Sequence, residues 1–365
     1  FVIHEQVDRA ASTVDRIDPA GELVGRQRPF APLAVREAER DVVAEPIPDE
    51  AAYQVTAYVT VVGSDSQPIP DLASDAFTVS QDGSDVEIES AAVTERPASV
   101  VLAIDTSGSM AYQGKMDAVK AAATGFVDQL AAEDRVAVVY FNDTIVIGQQ
   151  DLTGDFVLIK NVIGLLQAEP YAGTCLYDAA YDAIGLASKA PQGSRAVVLL
   201  TDGIDEVADQ SGPCSKHTVD DVKALAQDSA TRTPIYTIGV GTRVNAAELD
   251  GIAENTGGTS LLAPDVAGVA SLFDTLAAQI KNQYALIYRA ETTSGEHNLT
   301  VTVTAGGATS IGTRKFLAPE LPPMLSLSGL DNGTILTGSQ KVRAMLRGKV
   351  GMSSVTFMLD GETLA

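Results

Sequence analysis

Positive charge is scarce in this chain. Against 48 Asp and Glu it carries 25 Lys and Arg, a formal net charge of −23 at pH 7. Nucleic acid and anionic membranes are bound by basic patches, so both are disfavoured as partners, while divalent cations and basic protein surfaces are compatible. Long apolar runs are also missing. None approaches the ~18 residues of a membrane helix, so contact with a membrane is expected only through an anchor outside this sequence. Two cysteines permit at most one disulfide, and beside three histidines they make no case for zinc. There is no initiator methionine or signal peptide. Phe1 therefore reads as a processed start, and the Asp360-Gly361 turn near Ala365 suggests that the natural protein continues. What is present is a chain of 365 residues, 45% hydrophobic and free of long biased tracts, which points to two or three folded domains.

One stretch organises the rest. Val100-Val101-Leu102-Ala103-Ile104 is unbroken apolar sequence and ends in Asp105-Thr106-Ser107-Gly108-Ser109-Met110. Such a run reads as a strand buried on both faces, as in a parallel sheet covered by helices. Asp, Ser and Gly then suit the tight polar turn at its carboxyl end. Asp105, Ser107 and Ser109 would project hard oxygens into one small space. With waters they suit Mg²⁺, which rarely sits in an all-protein cage. The competing reading is that Asp105 and Ser109 only cap the next helix. Two later stretches bear on the choice. Gly173-Thr174-Cys175-Leu176-Tyr177-Asp178 opens a helix with a hydroxyl at its mouth, and Ala196-Val197-Val198-Leu199-Leu200-Thr201-Asp202-Gly203 is a second buried strand ending in an acid.

Together, Asp105-x-Ser107-x-Ser109, Thr174 and Asp202 resemble the metal-ion-dependent adhesion site of a von Willebrand factor type A domain. In that family the first loop supplies an Asp and two Ser, the second a Thr and the third an Asp; all five stand here in order. The resemblance implies a doubly wound α/β fold and a divalent cation, Mg²⁺ or else Mn²⁺ or Ca²⁺. It also implies an open coordination position filled by a carboxylate from a partner protein, with small rearrangements of the Thr174 and Asp202 loops. In the family fold these loops crowd one face of the sheet, which makes a Cys175–Cys214 bridge reasonable and, with it, an oxidising compartment. The alternative is two free thiols in a reducing cytosol.

The expected fold class is α/β: a mostly parallel, doubly wound sheet inserted into an all-β sandwich and followed by a partial immunoglobulin-like β module. Residues 1–50, rich in Arg, Asp, Glu, Ala and Pro, read as an extended or linker segment. From Tyr53 the period becomes two, with strands expected at 53–62, 76–80 and 86–90. Their partners are expected after residue 283, so the sandwich takes 51–97 plus 284–317 and the α/β domain 98–283. The inserted part alternates strands and helices, ending in a helix at 266–283. Residues 318–365 resemble the first strands of an immunoglobulin-like module, too short to close alone. Self-association is one way to complete it.

No enzymatic role is expected. A hydrolase would need a base near the metal, and His217, the only histidine within reach by sequence, reads as a solvated loop residue. There is no Gly-x-Ser-x-Gly elbow or HExxH pair, and Gly239-Val240-Gly241 does not complete a dinucleotide fingerprint. Asp205, Glu206 and Asp209 read as a solvated rim, the alternative being acids that tune metal choice or attract a basic partner; Thr106 and Met110 read as structural. Asp178 is either an outer support of the metal or a helix N-terminal acid. The function expected is an extracellular or cell-surface adhesion module. Alternatives are a structural subunit of a surface layer or filament, and an intracellular assembly factor working with an ATPase.

Overall fold

The structure, a computed structural model, describes residues 34–47, 52–94, 96–147, 151–190, 194–228, 231, 233–291, 293–320 and four short strands beyond. Strands β1 (Ala34–Pro46), β2 (Tyr53–Val62), β3 (Phe77–Gln81), β4 (Ser84–Val86) and β5 (Ile88–Thr94) precede the α/β body. That body runs β6 (Ala98–Asp105), α1 (Lys115–Asp128), β7 (Arg135–Phe141), β8 (Ile145–Ile147), α2 (Phe156–Leu165), α3 (Leu176–Ala187) and β9 (Ser194–Thr201). It continues through α4 (Val219–Gln227), β10 (Ile235–Val240), α5 (Ala246–Thr256), β11 (Ser260–Ala263) and α6 (Val269–Lys281). The chain then returns to β12 (Gln283–Ala290), β13 (Gly295–Ala305) and β14 (Ala308–Ala318).

Uninterrupted apolar runs become the middle of the central sheet. Its order is β11-β10-β9-β6-β7-β8, and every residue of β6 and β9 is buried. All neighbours are parallel except β8, which lies antiparallel on the edge against β7. The apolar stripes of α1, α2 and α6 cover one face, with Phe126 and Phe273 in tilted contact, and those of α3, α4 and α5 cover the other. Strand order reverses between β6 and β9, so their carboxyl ends frame the crevice where ligands bind in open sheets of this kind. Asp105 ends β6, and Asp202 directly follows β9.

Alternating sequence makes the second body. Sheets β1-β2-β12-β5 and β14-β13-β3-β4 enclose a common core that includes Tyr53, Val55, Val79, Leu286, Tyr288 and Val301. Buried tyrosines keep their hydroxyls satisfied, as burial demands: Tyr288 donates to Gln81 Oε1 at 2.9 Å and Tyr284 to the Ile69 carbonyl at 2.7 Å. Two boundaries differ from the sequence reading. The segment read as extended or linker contains β1, an extended edge strand that pairs antiparallel with β2 rather than standing apart from the sandwich. The strand expected at 86–90 is two strands in different sheets, because the chain crosses the sandwich at Glu87.

The two bodies meet through polar side chains. Fully buried Gln279 of α6 accepts from Thr259 Oγ1 at 2.8 Å and donates to the Ser66 carbonyl at 2.5 Å, while Gln67 Nε2 donates to Thr275 Oγ1 at 2.7 Å. Of the module read at 318–365, the structure describes two pairs of strands, Met324–Ser328 with Arg343–Arg347 and Met358–Leu359 with Glu362–Thr363. The rest of that module, and residues 1–33, lie outside the described residues. No described helix is long and apolar enough to cross a membrane.

Candidate metal centre

The carboxyl end of β6 sets the site. Asp105 is fully buried, and its two oxygens are occupied in different ways: Oδ1 accepts from the Ser107 N–H at 2.7 Å, which folds the turn, and Oδ2 accepts from Thr201 Oγ1 at 2.6 Å. Thr106 anchors the turn from behind, with both its N–H and its hydroxyl donating to the Phe141 carbonyl. Met110 is fully buried in the turn that follows. The two serine hydroxyls then lie 3.1 Å apart, and Ser109 Oγ donates to Asp202 Oδ1 at 2.6 Å. Asp105, Ser107, Ser109 and Asp202 are thus gathered by direct hydrogen bonds around one point.

Thr174 reaches the same point from the second loop. Its backbone forms a two-way bridge with Glu206, at 2.8 and 3.2 Å. Its hydroxyl and that of Ser109 both lie within 4.0 Å of where a Cβ on Gly203 would stand. Glycine is needed twice for this closeness. A Cβ on Gly108 would stand 2.8 Å from the Tyr171 nitrogen, and one on Gly173 would stand 2.7 Å from the Glu206 carbonyl oxygen. Both distances are closer than real Cβ atoms come, so any side chain there would push the loops apart.

A clasp holds the second and third loops together. Cys175 and Cys214 are joined in a disulfide. Asp205 accepts from the N–H groups of Leu176, Cys214 and Ser215 and from the Ser215 hydroxyl. Ser215 Oγ in turn accepts from the N–H groups of Tyr177 and Asp178 at the start of α3. Asp178 accepts from the N–H groups of Lys216 and His217 and pairs with His217 Nδ1 at 2.7 Å. Burial works to raise the Asp178 pKa, yet these hydrogen bonds hold it below the usual carboxylate range. The His217 ring stacks on Tyr181 at 3.8 Å. Asp205 and His217 are therefore parts of the clasp rather than the solvated rim and loop residue that their sequence suggested. Glu206 pairs with Arg243 at 3.1 Å, and Asp209 is the exposed member of the trio.

Burial and the nearby Asp202 carboxylate outweigh the hydrogen bond from Thr201 and push Asp105 up to about 6. No three His, Cys, Asp or Glu side chains are grouped to hold a metal among the described residues. The present set is of another kind, two carboxylates and three hydroxyls. Its chemistry fits a hard divalent cation that keeps several waters. Two participants escaped the sequence reading. Thr201 is one. The other is Lys115, whose Nζ lies 2.5 Å from Asp202 Oδ2 with its side chain 12% exposed. Its position offered a signal, since a cation in the first turn of a helix opposes the macrodipole.

Above these groups opens a groove of about 450 Å³. Ser109, Lys115 and Thr174 line it together with Tyr112, Tyr171 and Arg243. Tyr171 is 91% exposed and adopts φ +73°, a left-handed conformation rare for a bulky residue. The chain is pinned on either side of it, by Glu169 N–H to the Thr106 carbonyl and Gly108 N–H to the Ala172 carbonyl.

Residues 100–204 match the profile of the von Willebrand factor type A domain. The matched span opens in β6, closes just past Asp202 and contains all five candidate ligands. An uncharacterised protein of Synechocystis sp. is 31% identical over 166 residues, covering 45% of this chain and 37% of that one. This chain thus spans little more than a third of that relative's length. Among solved structures, a von Willebrand factor type A protein from Catenulispora acidiphila aligns over 82% of this chain and 76% of its own, at 18% identity and TM-score 0.44. The von Willebrand factor domain of the type V pili tip protein Mfa5 from Porphyromonas gingivalis aligns over 50% of this chain and 95% of its own, at 15% identity and TM-score 0.40.

Proposed function

We propose that this chain is a metal-dependent protein-binding module, exported or displayed at a cell surface. Asp105, Ser107, Ser109, Thr174 and Asp202 would hold a divalent cation, Mg²⁺ or in its place Mn²⁺ or Ca²⁺, and the partner would offer a carboxylate. The observation that carries the reading is the direct linkage of Asp105, Ser107, Ser109 and Asp202 beneath an open groove. Domains of the matched family commonly bind divalent metal ions. When bound, the cation supplies a positive, exchangeable coordination position for an acidic side chain. This chain's own residues do the positioning. Thr201 and the Ser107 N–H fix Asp105, Ser109 fixes Asp202, and the clasp makes any adjustment of the Thr174 loop move the Asp202 loop with it. Tyr112, Tyr171 and Arg243 at the groove are residue types that carry much of the energy in protein interfaces. The disulfide favours an oxidising compartment over the cytosol.

Calorimetric titration of Mg²⁺, Mn²⁺ and Ca²⁺ tests this on the wild type and on Asp105→Ala combined with Asp202→Ala. Saturable binding that disappears in the double variant is expected. A wild type that binds none of the three overturns the reading.

A further inference from the structure

Two carboxylates with no exposed surface sit at the crevice, and a buried charge without a partner is costly. Each is held in its own way. Asp105 is surrounded by neutral donors, the Ser107 N–H and the Thr201 hydroxyl. Asp202 takes one neutral donor, Ser109 Oγ, and one full positive charge, the Lys115 ammonium at 2.5 Å. That ammonium is placed against local preference. Lys115 is the first residue of α1, where the helix dipole repels cations. The cap before it, Gly114 at φ +69°, offers the helix no side-chain hydrogen bond. A lysine that breaks a local rule and is still nearly buried is held there by something else, and the only ion pair it forms among the described residues is with Asp202.

We propose that Lys115 is a tethered counter-cation of this site, competing with the divalent ion for Asp202 and weakening its binding. The proposal rests on the metal-binding reading above. A positive charge bonded to one oxygen of a ligand carboxylate repels a second cation approaching the other, and the low local polarity of a buried site strengthens that repulsion. It also draws electron density from the ligand. When a divalent ion arrives, the ammonium has to yield its place or tolerate the repulsion, and either outcome lowers affinity. In return the two acids stay partly neutralised when no metal is at hand, so the fold does not depend on metal. Lys115 is thus a positioning and affinity-setting residue, outside the ligand set.

The test uses the full chain as wild type, Lys115→Met and Lys115→Gln. Methionine keeps the length and apolar stem of the lysine, and glutamine keeps a hydrogen-bond donor without charge. Mg²⁺ affinity is read by calorimetry and thermal stability by melting in chelator. Both variants are expected to bind Mg²⁺ about tenfold or more tightly than wild type, to melt lower in chelator, and to gain more in Tm on adding Mg²⁺. If one variant fails to fold, the other gives the same reading. Equal or weaker Mg²⁺ binding by the folded variants, with the wild type still binding, overturns the role of Lys115 alone. Absence of binding of Mg²⁺, Mn²⁺ and Ca²⁺ in all three proteins overturns the metal reading and this proposal with it.

Discussion

Asp105 must be ionised before it can hold a cation, and its buried carboxyl is pushed up to about 6. In the metal site proposed above, protons would therefore compete with the cation across a mildly acidic range. Calorimetry from pH about 5 to about 8 is expected to show Mg²⁺ affinity flat at the upper end and falling roughly tenfold per pH unit below about 6. Without metal the sign reverses. A carboxylate whose folded pKa is raised makes the folded state bind more protons than the unfolded one. In chelator, stability should accordingly decline as pH rises from about 4 to about 6 and then level off. An upward slope there would contradict the burial of Asp105. At this scale the convergence of the five proposed ligands was legible in the sequence, because each stands in a loop that an apolar strand or a helix start announces. Thr201 was not, since a threonine ending a strand looks like any β-branched residue until its hydroxyl is seen on Asp105. Asp205 was misread because three of its four donors are backbone N–H groups, which no side-chain pattern reveals.

Among elements, the clasp between the start of α3 and the loop after β9 matters most to the site. The disulfide closes 39 residues of chain. Replacing both cysteines, as Cys175→Ala with Cys214→Ala, should cost about 2–4 kcal/mol in denaturant unfolding. Because the same loops carry Thr174 and Asp202, Mg²⁺ binding should weaken as well. Unchanged affinity in the destabilised variant would show that the Asp205 hydrogen bonds hold the loops by themselves. Long elements were plain from sequence. The runs of β6 and β9 and the helical stripe beginning at Met116 leave little choice. Shorter ones were not. Strand β1, Ala34–Pro46, has too many charges for an obvious period, because an edge strand paired on one side can do without a regular apolar face. The crossing at Glu87 was invisible because β4 and β5 belong to one stretch of sequence and two sheets. The last helix, expected at 266–283, begins after a single tight turn and stops at Lys281, where β12 takes over almost at once.

For the whole molecule, that direct passage from α6 to β12 is one of the two chain crossings that join the bodies. Gln279 is a fully buried polar side chain at their junction. Gln279→Leu would leave the Ser66 carbonyl without this donor and Thr259 Oγ1 without its acceptor, at a cost of about 1–3 kcal/mol for the unmade bonds. Calorimetric unfolding is expected to change from one cooperative transition in the wild type to two in the variant. Two transitions in the wild type would mean that the junction does not couple the bodies. The entry and exit of the α/β body also lie side by side: Thr94, which ends β5, is paired with Gln283, which begins β12. This arrangement has a mechanical consequence. A tug on a partner seated in the groove would travel down β6 and α6 and arrive at two facing ends of one ladder, pulling both strands the same way. The pair would not be peeled apart. Strain would pass sideways into β2, whose seven registered residues against β12 would have to slide together before the sandwich gave way.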